Sequence, residues 1–184
     1  MLPALTESGE NAKVNIGKVG KSGTAPRCPA GEAPSGTEPD GKRIVFQGTS
    51  LLTLDQKGRL SMPARHREAV VAESGSGVTV TRHPDGCLVI YPNPVWERKR
   101  RALAELPYSA RAFVRFVLGS AVELTFDRAG RILIPAELRV MCGLTREVAL
   151  LGMGEHFELW DRETLARRER EALEAGFDAG AFTF

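Results

Sequence analysis

Thirteen residues, Asp55-Gln-Lys-Gly-Arg-Leu-Ser-Met-Pro-Ala-Arg-His-Arg67, return 72 positions later as Asp127-Arg-Ala-Gly-Arg-Ile-Leu-Ile-Pro-Ala-Glu-Leu-Arg139. Six of the thirteen are identical, where ordinary residue usage would give about one. Further on, Cys87-Leu-Val-Ile-Tyr91 answers His156-Phe-Glu-Leu-Trp160 at an offset of 69, each behind a short apolar strand, Val78–Val80 and Val148–Leu151. The chain therefore carries two copies of one supersecondary unit in the same element order. A single copy of about 45 residues buries too little apolar surface to stand alone, so the two should pack on each other about a pseudo-twofold axis.

The local chemistry of each copy follows from its residues. Leu51 to Leu54 is strand-like, and Asp55 with Gly58 occupy the first and fourth places of a type I turn followed by a bulge, which predicts a hairpin into Leu60–Met62. Pro63 suits a first helical turn, where a missing N–H costs nothing, and Ala64 to Ala72 continue as a short helix. Asp127 to Gly130, Ile132 to Ile134 and Pro135 to Met141 repeat these steps. Each unit reads as strand, turn, strand, short helix, hairpin, and the whole as a β-rich α+β fold with peripheral helices. Those helices are predicted over 94–106, 109–118 and 161–175. The first has Val95, Trp96, Ala102, Leu103 and Leu106 on one face.

Composition bounds the rest. The 184 residues are 42% hydrophobic and 26% charged, with a formal net charge of +2, an ordinary balance for a globular protein. A nucleic-acid interface, if there is one, must come from local arrangement. No stretch approaches the ~20 apolar residues of a membrane span, and the first residues do not read as a secretion signal, so a reducing cytoplasm is expected. Residues 1 to 43 hold five of the eleven prolines and seven of the nineteen glycines and few large apolar side chains. They cannot offset an ordering cost of about 1 to 2 kcal/mol per residue, and a disordered leader over 1–44 is expected.

Between residues 54 and 67, four cations, Lys57, Arg59, Arg65 and Arg67, face one carboxylate, Asp55. Such a patch suits phosphates, and Arg59 at the head of the returning strand could pair bidentately with a guanine edge. The competing reading is an Asp55–Arg59 clamp that holds the turn, repeated as Asp127–Arg131. Asp55, Gly58, Asp127 and Gly130 are read as turn-structural, and Lys57, Arg59, Arg65, Arg67 and Arg131 as candidate DNA contacts. Ala129 replaces Lys57, and Glu137 replaces Arg65, so the halves are not expected to contribute equally. Arg98-Lys-Arg-Arg101 reads as a solvated helix face, with Arg111 and Arg115 similar. Three scattered cysteines and three unpartnered histidines give no metal-ligand spacing. No phosphate loop, nucleophile elbow or carboxylate pair marks an enzyme, and no cofactor is indicated.

Together, Phe46-Gln-Gly48, Leu54 to Pro63, Gly119-Ser120, Asp127 to Arg131, Gly143 to Val148 and Phe157 to Trp160 resemble the bacterial MraZ family of transcriptional regulators. The resemblance runs from about residue 45 to the end. It implies two SpoVT-AbrB-like units, placed at 50–97 and 122–165, followed by a C-terminal helix and tail over 166–184. It further implies a swapped-hairpin or double-split β-barrel pseudo-dimer, assembled as a ring, an octamer or a dodecamer. The resemblance implies binding of double-stranded DNA at short direct repeats in the promoter of its own gene and the division and cell-wall cluster. Repression and association with the nucleoid follow from it. Family members begin Met-Phe-x-Gly where this chain has Val45-Phe-Gln-Gly48. Residues 1–44 are therefore expected to be an upstream region ahead of a GTG-encoded start at Val45, and the intact mass of the native protein tests this. Two other classes stay open: an AbrB-fold, antitoxin-like protein that binds a protein partner, and a structural ring with no DNA role.

Overall fold

The Asp-x-x-Gly turns organise both copies. β1 (Phe46–Thr53) enters the first turn and β2 (Arg59–Ser61) leaves it. Pro63, at φ −53°, stands just ahead of α1 (Ala64–Ser74), one residue earlier than predicted, and its carbonyl accepts the His66 and Arg67 N–H groups. A hairpin of β3 (Gly77–Arg82) and β4 (Leu88–Pro92) and then α2 (Asn93–Ala104) complete the first copy. A 3₁₀ turn (Tyr108–Ala110) and α3 (Arg111–Leu118) lead into the second. There β5 (Val122–Thr125), β6 (Arg131–Leu133), α4 (Ala136–Met141), β7 (Glu147–Gly154), β8 (Phe157–Asp161) and α5 (Arg162–Ala175) repeat the order. Asp161 caps α5 by accepting the Thr164 N–H at 3.1 Å. This computed structural model describes residues 45–75 and 77–176; the expected disorder of the leader 1–44, and the end of the tail beyond 176, lie outside the described residues.

Six strands form one antiparallel sheet in the order β1-β7-β8-β4-β3-β5, and β2 pairs with β6 in a separate ribbon. Exchanging the two copies leaves that order unchanged when it is read from the other edge, so the sheet carries the pseudo-twofold symmetry that the sequence repeat demands. The first strand of each copy crosses to the other: β1 lies along β7 from Phe46↔Gly154 to Thr53↔Glu147, and β5 lies along β3 from Gly77↔Thr125 to Val80↔Val122.

This pairing corrects the hairpins predicted across the two Asp-x-x-Gly turns, while the hairpin that closes each copy is present as β3–β4 and β7–β8. The link across the first turn is confined to its closing pair, the Asp55 N–H to the Arg59 carbonyl at 3.1 Å, and across the second to the Asp127 N–H and the Arg131 carbonyl at 2.8 Å. Beyond those rungs β1 and β2 part to different partners. The reason is burial: Phe46, Leu54 and Leu60 enter one core with Ile132, Val148, Leu150 and Phe157 of the second copy. Each half thereby covers apolar surface that the other would expose.

The ribbon caps this core. Leu60 and Ile132, opposite each other in its register, are fully buried, and Ile134 and Met62 continue inward. Phe46 packs on Phe157 with ring centroids 4.1 Å apart, and the buried His66 meets Phe157 edge-on at 5.0 Å. Burial, followed by the neighbouring Arg65, pushes the His66 imidazole below its ordinary pKa and favours the neutral ring.

Candidate nucleic-acid interface

The two turns share one geometry. Gly58, at φ +81°, donates its N–H to the Asp55 carbonyl at 2.8 Å, and Gly130, at φ +73°, donates to Asp127 at 2.9 Å. A left-handed glycine closing an i to i+3 bond is what a type I turn with a glycine bulge requires, as the sequence predicts. Each aspartate then gathers its own loop. One oxygen of Asp55 accepts the Lys57 and Arg59 backbone N–H groups, both at 2.9 Å, and the other accepts Arg59 Nε at 2.6 Å. Asp127 does the same with Ala129 at 2.8 Å, Arg131 at 3.0 Å and Arg131 Nε at 2.8 Å.

These contacts set the electrostatics. The backbone N–H of Arg59, assisted by its guanidinium, holds the Asp55 carboxyl at about 2, below the ordinary 3.8. For Asp127 the Arg131 guanidinium leads and its backbone N–H follows, with the same result of about 2. Both carboxylates remain ionised at neutral pH. The clamp is therefore present, and it leaves donors free: Arg59 commits Nε, and Arg131 commits Nε and Nη2 to the same carboxylate oxygen. A guanidinium braced by its own turn loses little further rotamer freedom when it grips a ligand.

The ribbon brings the two clamps together. Its register sets Arg59 against Leu133 and Arg131 against Ser61, so the arginine Cα atoms stand about 7 Å apart along the strands and about 5 Å across them. Leu60 and Ile132 point inward, which puts Arg59, Ser61, Arg131 and Leu133 on the outer face. The bonds from the Ile134 N–H to Gly58 at 3.0 Å and from the Met62 N–H to Gly130 at 3.3 Å tie each turn to the opposite strand.

A second pair of arginines crosses between copies. Arg139 of α4 lies on Gly58, where a Cβ would come 2.6 Å from its Cζ, and Arg67 of α1 lies on Gly130 in the same way. Arg139 also donates from Nε to the Ile134 carbonyl at 3.2 Å. The sequence reading named Arg67 and missed Arg139, although the offset of 72 makes them equivalents. It also missed Arg128, exposed in the second turn. With Arg128 counted, residues 55–59 and 127–131 each carry two cations and one aspartate, so the turns themselves match in charge.

The asymmetry lies in the helices. Arg65 is not drawn to the turn: its Nη2 reaches Ser50 of β1 at 3.4 Å and its Nε donates to His66 at 3.2 Å. Lys57 is exposed at the first turn's tip. The assembled face thus carries Lys57, Arg59, Arg67, Arg128, Arg131 and Arg139 against Asp55 and Asp127, an arrangement suited to phosphates and to base edges.

The comparisons agree with this duplicated architecture. Residues 45–116 and 117–183 each match the profile of the family described as "MraZ protein, putative antitoxin-like". A protein of Bordetella pertussis named Transcriptional regulator MraZ is 56% identical over 132 residues, which cover 72% of this chain and 93% of that protein. Proteins of the same name from Herminiimonas arsenicoxydans, 53% identical over 132 residues, and Acidovorax sp. strain JS42, 50% identical over 131, cover 72% and 71% of this chain. They are covered over 93% and 92% of their own lengths. With two family matches spanning most of the sequence, and the repeat that defines them built into the sheet, the chain belongs to the MraZ family.

Proposed function

We propose that this protein is a DNA-binding transcription regulator that reads DNA with the β2–β6 ribbon. The observation that carries the reading is the pair of aspartate-braced arginines on one outer face, ringed by four further cations and underlain by a rigid core. A two-stranded ribbon fits the major groove, about 12 Å wide, and two arginines whose Cα atoms stand about 7 Å apart along it span roughly two base steps. Arg59 and Arg131 would then reach base edges or phosphates, while Lys57, Arg67, Arg128 and Arg139 add phosphate contacts and Arg65, turned onto Ser50, contributes less.

One ribbon makes few contacts, which supports assembly: copies in a closed ring, eight or twelve, present ribbons to successive direct repeats, and each further contact becomes intramolecular. Such linkage raises avidity by about 10² to 10⁴. The SpoVT-AbrB-like units at 50–97 and 122–165, the sheet and the exchanged ribbon correspond in this reading to a swapped-hairpin, double-split barrel. The target is the promoter of the protein's own gene and the division and cell-wall cluster, repressed from a nucleoid-associated pool. Non-enzymatic action follows from the same reading. Fluorescence anisotropy with duplexes carrying one, two or three tandem repeats from that promoter tests it. Affinity should rise steeply with repeat number and fall with salt, each phosphate contact adding about 0.9 to the logarithmic slope. Equal affinity for all three duplexes, or no salt dependence, contradicts it.

A further inference from the structure

Away from the ribbon, a cavity of about 290 Å³ opens among β3, β4, α2 and α3. Trp96, Leu103 and Phe113 supply its apolar wall, and Arg82, His83 and Lys99 its polar groups. The sequence places Leu103 and Leu106 on one helix face with Val95 and Trp96. Val95 and Trp96 are buried, but Leu106 stays 41% exposed and both leucines line this cavity.

Arg82 is the unusual member. Its guanidinium carbon sits 4.2 Å over the Phe116 ring, and its Nε, shut off from solvent, has no hydrogen-bond partner among the described residues. Among the described residues no carboxylate pairs with it. Asp85 lies 3.3 Å from His83 Nδ1 and Glu158 accepts the Trp160 indole N–H at 2.8 Å, and neither lines the cavity. The residue as a whole is half-buried, so its charge stands at the cavity wall, where an anion entering the cavity would meet it. Lys99 adds a second positive charge at the same wall. A cavity this size lies near the lower end for ligand sites, about 300 Å³, and its lining is mostly apolar, which excludes a nucleotide or a polyphosphate.

We propose that this cavity binds a compact apolar monocarboxylate, an arylalkanoic acid in size, whose carboxylate meets Arg82 and Lys99 while its body lies among Trp96, Leu103 and Phe113. The site stands apart from the ribbon and does not rest on the DNA reading. Isothermal titration of the full chain with indole-3-propionate and with its neutral amide tests the proposal. The acid should bind and the amide should bind about tenfold to a hundredfold more weakly, the loss expected for one charge-assisted hydrogen bond. Arg82→Met, which removes the charge and keeps the apolar bulk, should weaken the acid by a similar factor and leave the amide unchanged. Leu103→Trp, at the half-buried rim, should abolish both. Melting curves and light scattering confirm that each variant folds and assembles as wild type does. Equal affinity for acid and amide, an unaltered Arg82→Met, or no binding by the assembled protein because a second copy fills the cavity would each overturn it.

Discussion

Alanine at Gly58 tests whether the crossed arginines brace the turns. Gly58 holds φ +81°, and a Cβ there would lie 2.6 Å from Cζ and Nε of Arg139. The left-handed backbone costs an alanine about 1 to 2 kcal/mol. Displacing Arg139 breaks its 3.2 Å bond to the Ile134 carbonyl, worth about 0.5 to 1.5 kcal/mol, so the total should be about 1.5 to 3.5 kcal/mol. Gly143 supplies the control, because it holds φ +60° with open space where a Cβ would stand, and alanine there should show the backbone cost alone, about 1 to 2 kcal/mol. Urea unfolding followed by tryptophan fluorescence, at one protomer concentration, gives both numbers if the m-value is unchanged. In an Arg139→Ala background the Gly58→Ala cost should shrink toward the control, a coupling of about 1 kcal/mol. Equal costs at the two glycines, or no coupling, would refute the brace.

Other perturbations have equally definite outcomes. Asp55 and Asp127 titrate at about 2 in the folded protein against an ordinary 3.8, so the unfolded chain takes up protons first as pH falls. Their contribution is complete above pH ~4 and lost as pH drops to ~2, and a double Asp→Asn variant should flatten the urea midpoint across that window. Leu60→Ala, at a fully buried ribbon position, should cost about 2 to 5 kcal/mol in the same assay. Arg128→Ala should lower the salt slope of DNA binding by about 1 without altering base preference. Arg65→Ala should weaken DNA binding less than Arg59→Ala, because its guanidinium is turned onto Ser50.

The turns, the prolines ahead of α1 and α4, and the order of elements were legible because each is local chemistry: an aspartate that accepts its own loop's N–H groups, a glycine at positive φ, a ring that fixes φ. Strand pairing was not. Whether Leu60 returns beside Leu54 or beside Ile132 leaves the alternation of buried and exposed residues unchanged, and only the shared core decides between them. Arg65 shows a second limit. It sits two positions before Arg67, yet two steps along a helix rotate the side chain by about 200°, so one meets β1 and the other meets Gly130. Arg139 is legible through the repeat as the equivalent of Arg67, but its place on Gly58 follows only from the crossing of α4 to the other copy's turn. The cavity beside Arg82 depends on how far α2 and α3 stand from the sheet, which no residue pattern states.

The ribbon's role in DNA binding is tested most directly by an Arg59→Ala, Arg131→Ala double variant, assayed by gel shift on the promoter's tandem repeats beside wild type, with oligomeric mass measured by light scattering on both. Lost binding at unchanged mass and melting temperature is the expected result. Retained binding by the variant would place the contact elsewhere and contradict the account.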